Sequence, residues 1–359
     1  MRLQLFKHKL PKELVAQHPP KSKYDARLMV VHRNTGRIEH KMFIDLADFF
    51  TEGDIIVAND SYKAPNLLYG EKDNTEITVR LLKSVDDYGL AWDAIVSPSR
   101  KIRNGNSIFF PALDMQCYVK DNTSIRGRVL EFNAEDVIKK NPDISQENIK
   151  QKFFDILQQN ALLEAPEYIN HKFTADDCLF LKSEYAKYPT SRDFVSSGLN
   201  FTKKQLLELQ LKKIDFETLT YTITNFPENK FNTKTVSFGN RIPEFCKISE
   251  RLIDKINVAK KNNKKICAVG YSSALGIENS FLKSLGTMQK NKEIVDKLLV
   301  SQSDFGVCNA LLTNFHQNGS MFLIVDSAFC SIELLRNAYK EAIKEKYRLC
   351  IFGDSLLII

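Results

Sequence analysis

The sequence lacks any apolar run of the roughly 18 residues that a membrane-crossing helix needs. It also lacks a Cys-x-x-Cys pair, a His-x-x-x-His or His-Glu-x-x-His pattern, an internal repeat and a low-complexity linker. These absences exclude a helical membrane span, a repeat array and the common short-spaced zinc motifs, so the spacing gives no reason to expect a metal. Seven cysteines are scattered singly. An odd, dispersed set fits buried thiols in a reducing compartment better than a disulfide frame. The stretch MRLQLFKHKL has neither a long apolar segment nor a small-residue cleavage site. A secretory leader is therefore not expected, and a cytoplasmic protein is.

What is present is ordinary for a globular protein: 359 residues, 43% hydrophobic and 26% charged. That length is enough for a large core and about two domains at roughly 150 residues each. The formal charge of +7 is spread over local clusters. They are Arg100-Lys101 with Arg103, Lys139-Lys140, Lys203-Lys204, Lys212-Lys213, and Lys260-Lys261 with Lys264-Lys265. Such clusters fit an anionic partner such as RNA, or they are the solvated faces of helices.

Hydrophobic patterning divides the chain. Ile55 to Asn59 (IIVAN) reads as a buried strand entered through the Gly53-Asp54 turn. Ile77–Leu82, Ala91–Val96, Ser107–Phe110 and Met115–Val119 are short strand-like runs with turn residues between them, which points to a small β-barrel. Ala134 to Leu163 is helical in pattern, interrupted at Asn141-Pro142. Lys203–Lys213, Ser249–Asn262 and Ser331–Tyr347 follow as amphipathic helices. Ile266–Gly270 and Leu356–Ile359 read as strands. The expectation is an α/β main domain, discontinuous over 1–60 and 134–359, with an antiparallel β-barrel domain inserted at 61–133.

One stretch asks for a chemical explanation. In ALLTNFHQNGSMFLIVDSAF, residues 310–329, the polar cluster Thr313-Asn314-Phe315-His316 lies between two apolar runs, followed by a turn at Gln317-Asn318-Gly319-Ser320. Either Asn314 and His316 line a pocket at a strand end, or they hold loop backbone by hydrogen bonds.

That stretch, with NAYKEAIKEKYR and FGDSLLI after it, resembles the S-adenosylmethionine:tRNA ribosyltransferase-isomerase family of queuosine biosynthesis. Leu10–Gln17, Ala26-Arg27-Leu28, Thr35-Gly36, Phe43–Leu46, Gly53–Asp60, Trp92, Pro98, Gly105 and Ala268-Val269-Gly270 occur in the family's order. The resemblance implies transfer of the ribosyl unit of S-adenosylmethionine, as co-substrate, to 7-aminomethyl-7-deazaguanine in tRNA, with rearrangement of the sugar. It implies an α/β fold with an inserted antiparallel barrel, and tRNA as partner; no metal and no membrane are expected from the absences above, and the oligomeric state is left open. It carries over the substrate-binding positions Asn314, His316, Ser196, Gly198, Asn200 and Ser272, expected to wall one pocket between the two domains. No catalytic residue is assigned.

The departures fall on the family's motifs. Tyr62 and Leu67 stand where N-[ND]-T-R-V-I-P-A-R-L has arginines. Asn200 stands for the histidine of G-L-H-F. Thr218–Phe226 corresponds to T-L-H-V-G-x-G-T-F, with Thr220 for its histidine. Leu275 replaces the arginine of G-T-T-S-V-R. Each arginine lost is a fixed fork of donors, and each histidine a group able to move protons near neutral pH. Two alternatives to the family activity follow. One is a non-catalytic paralogue that keeps the scaffold as a binding module. The other is different chemistry in the same cleft, with Tyr62, Tyr221 and Tyr271 supplying new polar groups.

Overall fold

A computed structural model of the chain describes residues 10–86, 89–122, 127–223, 244–283, 292–295, 305–317, 320 and 322–359. Residues 224–226 of the Thr218–Phe226 stretch, and Asn318, Gly319 and Met321, lie outside the described residues.

The elements alternate as the patterning implies. Strands β1 (Arg27–Val31) and β2 (Ile38–Met42) pair antiparallel, and β3 (Ile55–Asn59) runs almost directly into the short β4 (Ser61–Lys63). Six strands follow: β5 (Leu67–Lys72), β6 (Thr75–Ser84), β7 (Ala91–Ser97), β8 (Ser107–Phe110), β9 (Met115–Asn122) and β10 (Arg128–Phe132). Next come helices α1 (Ala134–Lys140), α2 (Ile149–Asn160) and α3 (Ala175–Phe180), then β11 (Tyr188–Ser191), α4 (Lys203–Leu211), β12 (Asp215–Thr222) and β13 (Glu244–Lys247). The remainder is α5 (Glu250–Lys261), β14 (Ile266–Val269), α6 (Gly270–Lys283), β15 (Lys292–Val295), β16 (Ala310–Asn314), α7 (Phe322–Phe329), α8 (Ile332–Lys344) and β17 (Ser355–Ile358).

The chain groups into two compact units, Met1–Lys63 with Tyr168–Ile359, and Ala64–Glu167. The smaller unit is a closed antiparallel barrel in the order β10-β7-β6-β5-β8-β9. Its inward residues alternate along each strand: in β7, Trp92, Ala94 and Val96 are buried and the residues between them less so. Helices α1 and α2 belong to this unit because Val137, Phe153, Ile156 and Leu157 bury into the barrel's apolar cluster, Phe153 against Phe132 at 4.7 Å between ring centroids. Contacts therefore divide the chain at 63/64 and 167/168, whereas the composition change after Asn133 marks where strands give way to helices.

The larger unit is built on a nine-stranded sheet ordered β15-β13-β12-β3-β14-β16-β17-β1-β2. Its centre, β12-β3-β14-β16, is parallel. Both faces of β3, β14 and β16 are covered, so these strands are buried along their whole length and mainly apolar, whereas β12 alternates polar with apolar residues. Ile55, Val57, Ile266 and Ala268 face a cluster roofed by α5, α6, α7 and α8, while Ile56, Ala58, Cys267 and Val269 face one that includes Phe43, Leu46 and Leu209. Six of the seven cysteines are buried. Burial pushes the thiols of Cys117, Cys267, Cys330 and Cys350 up to about 12, which leaves them protonated and unreactive.

One buried carboxylate holds the approach to β16. Glu278 of α6 accepts the backbone N–H groups of Gly306, Val307 and Cys308 at 2.8, 3.0 and 2.6 Å. Burial raises its pKa, and the three N–H bonds oppose that rise. Glu278→Ala would strand the buried N–H groups of Val307 and Cys308, each worth roughly 1–3 kcal/mol, while Gly306, which is exposed, can turn to water. The variant is expected to lose at least about 2 kcal/mol of unfolding free energy by denaturant titration, and Glu278→Gln, which keeps one acceptor, to lose less.

Candidate functional site at the carboxyl ends of the central strands

Parallel strands end together, and in open α/β sheets the crevice beyond their carboxyl ends is where ligands bind. Here β3, β14 and β16 end at Asn59, Val269 and Asn314, and β17, antiparallel to β16, begins beside Asn314 at Ser355. The loop 192–200 joins this edge. Polar side chains gather there because the strand ends expose backbone groups that need partners away from water.

Asn59 is the joint. Its Oδ1 accepts from Tyr221 N (2.9 Å) and Ser61 N (3.0 Å), and its Nδ2 donates to the Tyr221 carbonyl (3.0 Å) and Ser272 Oγ (3.2 Å). The Tyr221 carbonyl also accepts from Ser61 Oγ (2.7 Å) and Ser191 Oγ (3.2 Å). Asp60, next in the chain, accepts from Thr218 Oγ1 (3.0 Å) and Thr220 Oγ1 (2.7 Å).

The six candidate positions all lie in the larger unit, along this edge. Ser196 Oγ donates to Asn314 Oδ1 at 3.0 Å. Ser272 lies in the first turn of α6 and is buried. Gly270, which opens α6, has φ +77°, and a Cβ there would come within 2.8 Å of Ser197 Oγ, so the loop and the helix start approach as closely as a glycine allows. Gly198 is equally constrained: a Cβ would fall 1.6 Å from the Tyr185 Oη. Asn200, buried, donates to Ser355 Oγ (3.1 Å) and the Gly353 carbonyl (3.3 Å). Its amide thus fixes the start of β17.

His316 is held at three points. Its backbone N–H donates to Tyr339 Oη at 2.7 Å, its Nε2 lies 2.9 Å from Thr313 Oγ1, and its ring packs on Phe322 at 4.9 Å. Burial holds the imidazole down at about 3, from an ordinary 6.5. The carboxyl of Asp326 lies 3.7 Å from Nε2, and burial pushes it well above the usual carboxylate range against a hydrogen bond with Thr313. Burial thus disfavours the charged form of each of the two groups.

Four buried polar atoms in these segments have no hydrogen-bond partner among the described residues: Tyr185 Oη, Asn200 Oδ1, Ser273 Oγ and Asp326 Oδ2. Unsatisfied buried groups are rare in folded proteins and ask for a reason; a substrate or water that completes them is one. Asn59, Tyr185 and Asp326 were not among the positions singled out from the sequence. Two had a signal: Asn59 closes an otherwise apolar strand, and Asp326 is the single charge in FLIVDSAF. Tyr185 had none.

The replaced positions are absorbed in different ways. Leu275 is fully buried in the apolar core. Thr220 serves Asp60. Leu67 lies in β5 directly across from Arg80, whose guanidinium pairs with Glu164. Of the tyrosines, Tyr221 donates to Glu244 Oε2 at 2.7 Å, Tyr271 stacks on Phe322 at 4.6 Å, and the Tyr62 ring lies under the Lys182 ammonium at 4.7 Å. Asp354 accepts the backbone N–H groups of Arg27 (2.9 Å) and Arg348 (2.8 Å), so it ties β1 to the turn before β17.

A family model described as queuosine biosynthesis protein matches residues 3–358. Proteins named S-adenosylmethionine:tRNA ribosyltransferase-isomerase match end to end. That of Flavobacterium psychrophilum is 36% identical over 362 aligned positions, and that of Amoebophilus asiaticus 35% over 361, each alignment covering all of both chains. The crystal structure of an S-adenosylmethionine tRNA ribosyltransferase from Thermotoga maritima superposes with a TM-score of 0.53 at 22% identity, covering 99% of this chain and 100% of that one. At that identity the likeness is one of fold.

Three measurements probe the site. Gly198→Ala forces a methyl into Tyr185 and is expected to cost about 1–3 kcal/mol of stability. Adding Tyr185→Phe removes the nearest atom and should recover part of the loss in thermal unfolding. His316 should show no imidazole titration by NMR between about pH 5 and 8, where an ordinary histidine titrates. Below its unfolded pKa of 6.5 the unfolded chain takes up a proton that the folded chain refuses until about pH 3. The stability difference between wild type and His316→Gln should therefore move against the wild type as pH falls through that window.

Proposed function

Because this chain belongs to the queuosine biosynthesis protein family, we propose that it is an S-adenosylmethionine:tRNA ribosyltransferase-isomerase, acting on 7-aminomethyl-7-deazaguanine in tRNA. The observation that carries the reading is the end-to-end match with relatives of that name, which leaves no part of either chain unaligned. No observation favours the non-catalytic alternative.

The reaction asks for a site that admits an extruded base, accepts a proton beside the sulfonium and donates to alkoxide charge as the ribose rearranges. The strand-end cluster supports it in kind. We assign substrate binding to Asn314, His316, Ser196, Gly198, Asn200 and Ser272. The hydroxyl of Ser272, which accepts from Asn59, keeps its proton to donate to a ribose oxygen, and Ser196, whose proton goes to Asn314, can accept from a ribose hydroxyl. Asn314 is oriented by Ser196, so its amide is set before substrate arrives. His316, neutral and fixed by Thr313 and Tyr339, presents a hydrogen-bonding ring without a positive charge that would repel a sulfonium. Asn200 has only Oδ1 to offer, since its amide nitrogen is committed to β17. Gly198 lets backbone come close to the bound group.

The test is a single-turnover reaction with precursor tRNA and labelled S-adenosylmethionine. Adenine release coupled to label in the tRNA is expected. Ser196→Ala and Asn314→Ala should each slow it about two- to tenfold, the worth of one neutral hydrogen bond, with thermal midpoints near wild type. No adenine release under conditions where a family relative turns over would overturn the proposal.

A further inference from the structure

We propose that His18, His171 and Asp177 form a binding site for a divalent transition-metal ion of the Zn2+ type, using none of the residues of the strand-end cluster. Potential ligand atoms of the three residues all lie within 4.8 Å of one another. His18 Nδ1 is 3.7 Å from Asp177 Oδ1, and His171 Nε2 is 3.0 Å from Asp177 Oδ2. A tetrahedral zinc with bonds of about 2.0–2.2 Å sets its ligand atoms roughly 3.3–3.6 Å apart. The ligand atoms lie somewhat farther apart than that, up to 4.8 Å, and rotation of the exposed His18 side chain would draw them in.

Helix capping accounts for only part of the arrangement. Asp177 Oδ2 accepts from Thr174 N (2.8 Å) and Thr174 Oγ1 (2.9 Å) as well as facing His171, which serves the start of α3. Capping does not explain why Oδ1 faces His18 or why the two imidazoles stack at 4.2 Å between centroids. The segments that carry the histidines are clamped before any ion arrives. Gln17 Oε1 accepts from Asn170 N (2.9 Å), Gln17 Nε2 donates to the Tyr168 carbonyl (3.0 Å), and the Arg348 guanidinium donates to the His18 carbonyl. The His18 side chain is 65% exposed, which leaves a route for the ion and a fourth position for water. Two imidazoles and one carboxylate suit Zn2+, Co2+ or Ni2+; Mg2+ and Ca2+ prefer oxygen donors.

The experiment uses the full chain, stripped with chelator and titrated with Co2+ and then Zn2+. Saturable binding of one Co2+, with the visible absorption of a low-coordinate ion and displacement by Zn2+, is expected. His18→Gln and Asp177→Asn should each weaken binding at least about tenfold. His18→Gln alters only an exposed side chain, so its metal-free thermal midpoint should stay at wild type and separate lost ligation from lost fold. A Co2+ spectrum no different from the hydrated ion, or equal affinity in wild type and a His18→Gln/His171→Gln variant, would overturn the assignment.

Discussion

The side chain of Asn59 is the joint on which the strand-end edge depends. An apolar strand buried on both faces needs its last residue to leave the sheet without stranding backbone groups. Asn59 does this by imitating a strand: its amide gives to and takes from the same residue, Tyr221, as a paired backbone would. The other lone pair and proton go to Ser61 and Ser272. With all its hydrogen-bonding capacity used, one side chain fixes the ends of β3 and β12, the turn into β4 and the first turn of α6. Aspartate, with no donor, could not keep the bonds to the Tyr221 carbonyl or Ser272, and leucine would keep none.

The family's substituted positions read differently once they have neighbours. A leucine at 275 has become core. A threonine at 220 has joined Asp60, and an asparagine at 200 has turned its amide to the start of β17. These residues are in use, but their use is internal. The side chains proposed to meet a substrate are hydroxyls, amides and an imidazole whose charged form burial disfavours. A co-substrate that carries its own positive charge on sulfur tolerates such surroundings better than an anionic one would.

Much of the fold was legible because the main signals are periodic. IIVAN and ICAV are found within a residue of where patterning puts them, the helix expected over Ser331–Tyr347 runs over Ile332–Lys344, and the barrel's alternating strands are recognisable from turns and spacing. Two barrel strands, β5 and β10, were not separately legible; β5 contains charged residues and a glycine, and β10 is short. The packing of α1 and α2 on the barrel was not legible either, since a helix's apolar stripe says that it has a neighbour and not which one. In the site, Asn314 and His316 stood out as polar residues between apolar runs. Tyr185 and the His18–His171–Asp177 trio could not, because their meaning lies in contacts between segments far apart in sequence.

The position of β17 has a consequence for synthesis. It lies between β16 and β1, so β1 at Arg27–Val31 waits for a parallel neighbour at Ser355–Ile358, made only when nearly all the intervening chain has emerged from the ribosome. Asp354, which ties the backbone of Arg27 and Arg348, arrives equally late. The barrel has no such debt: every pairing within it lies between Leu67 and Phe132. During translation it can close while β1 has only β2 beside it and β3 still lacks both of its neighbours, β12 and β14.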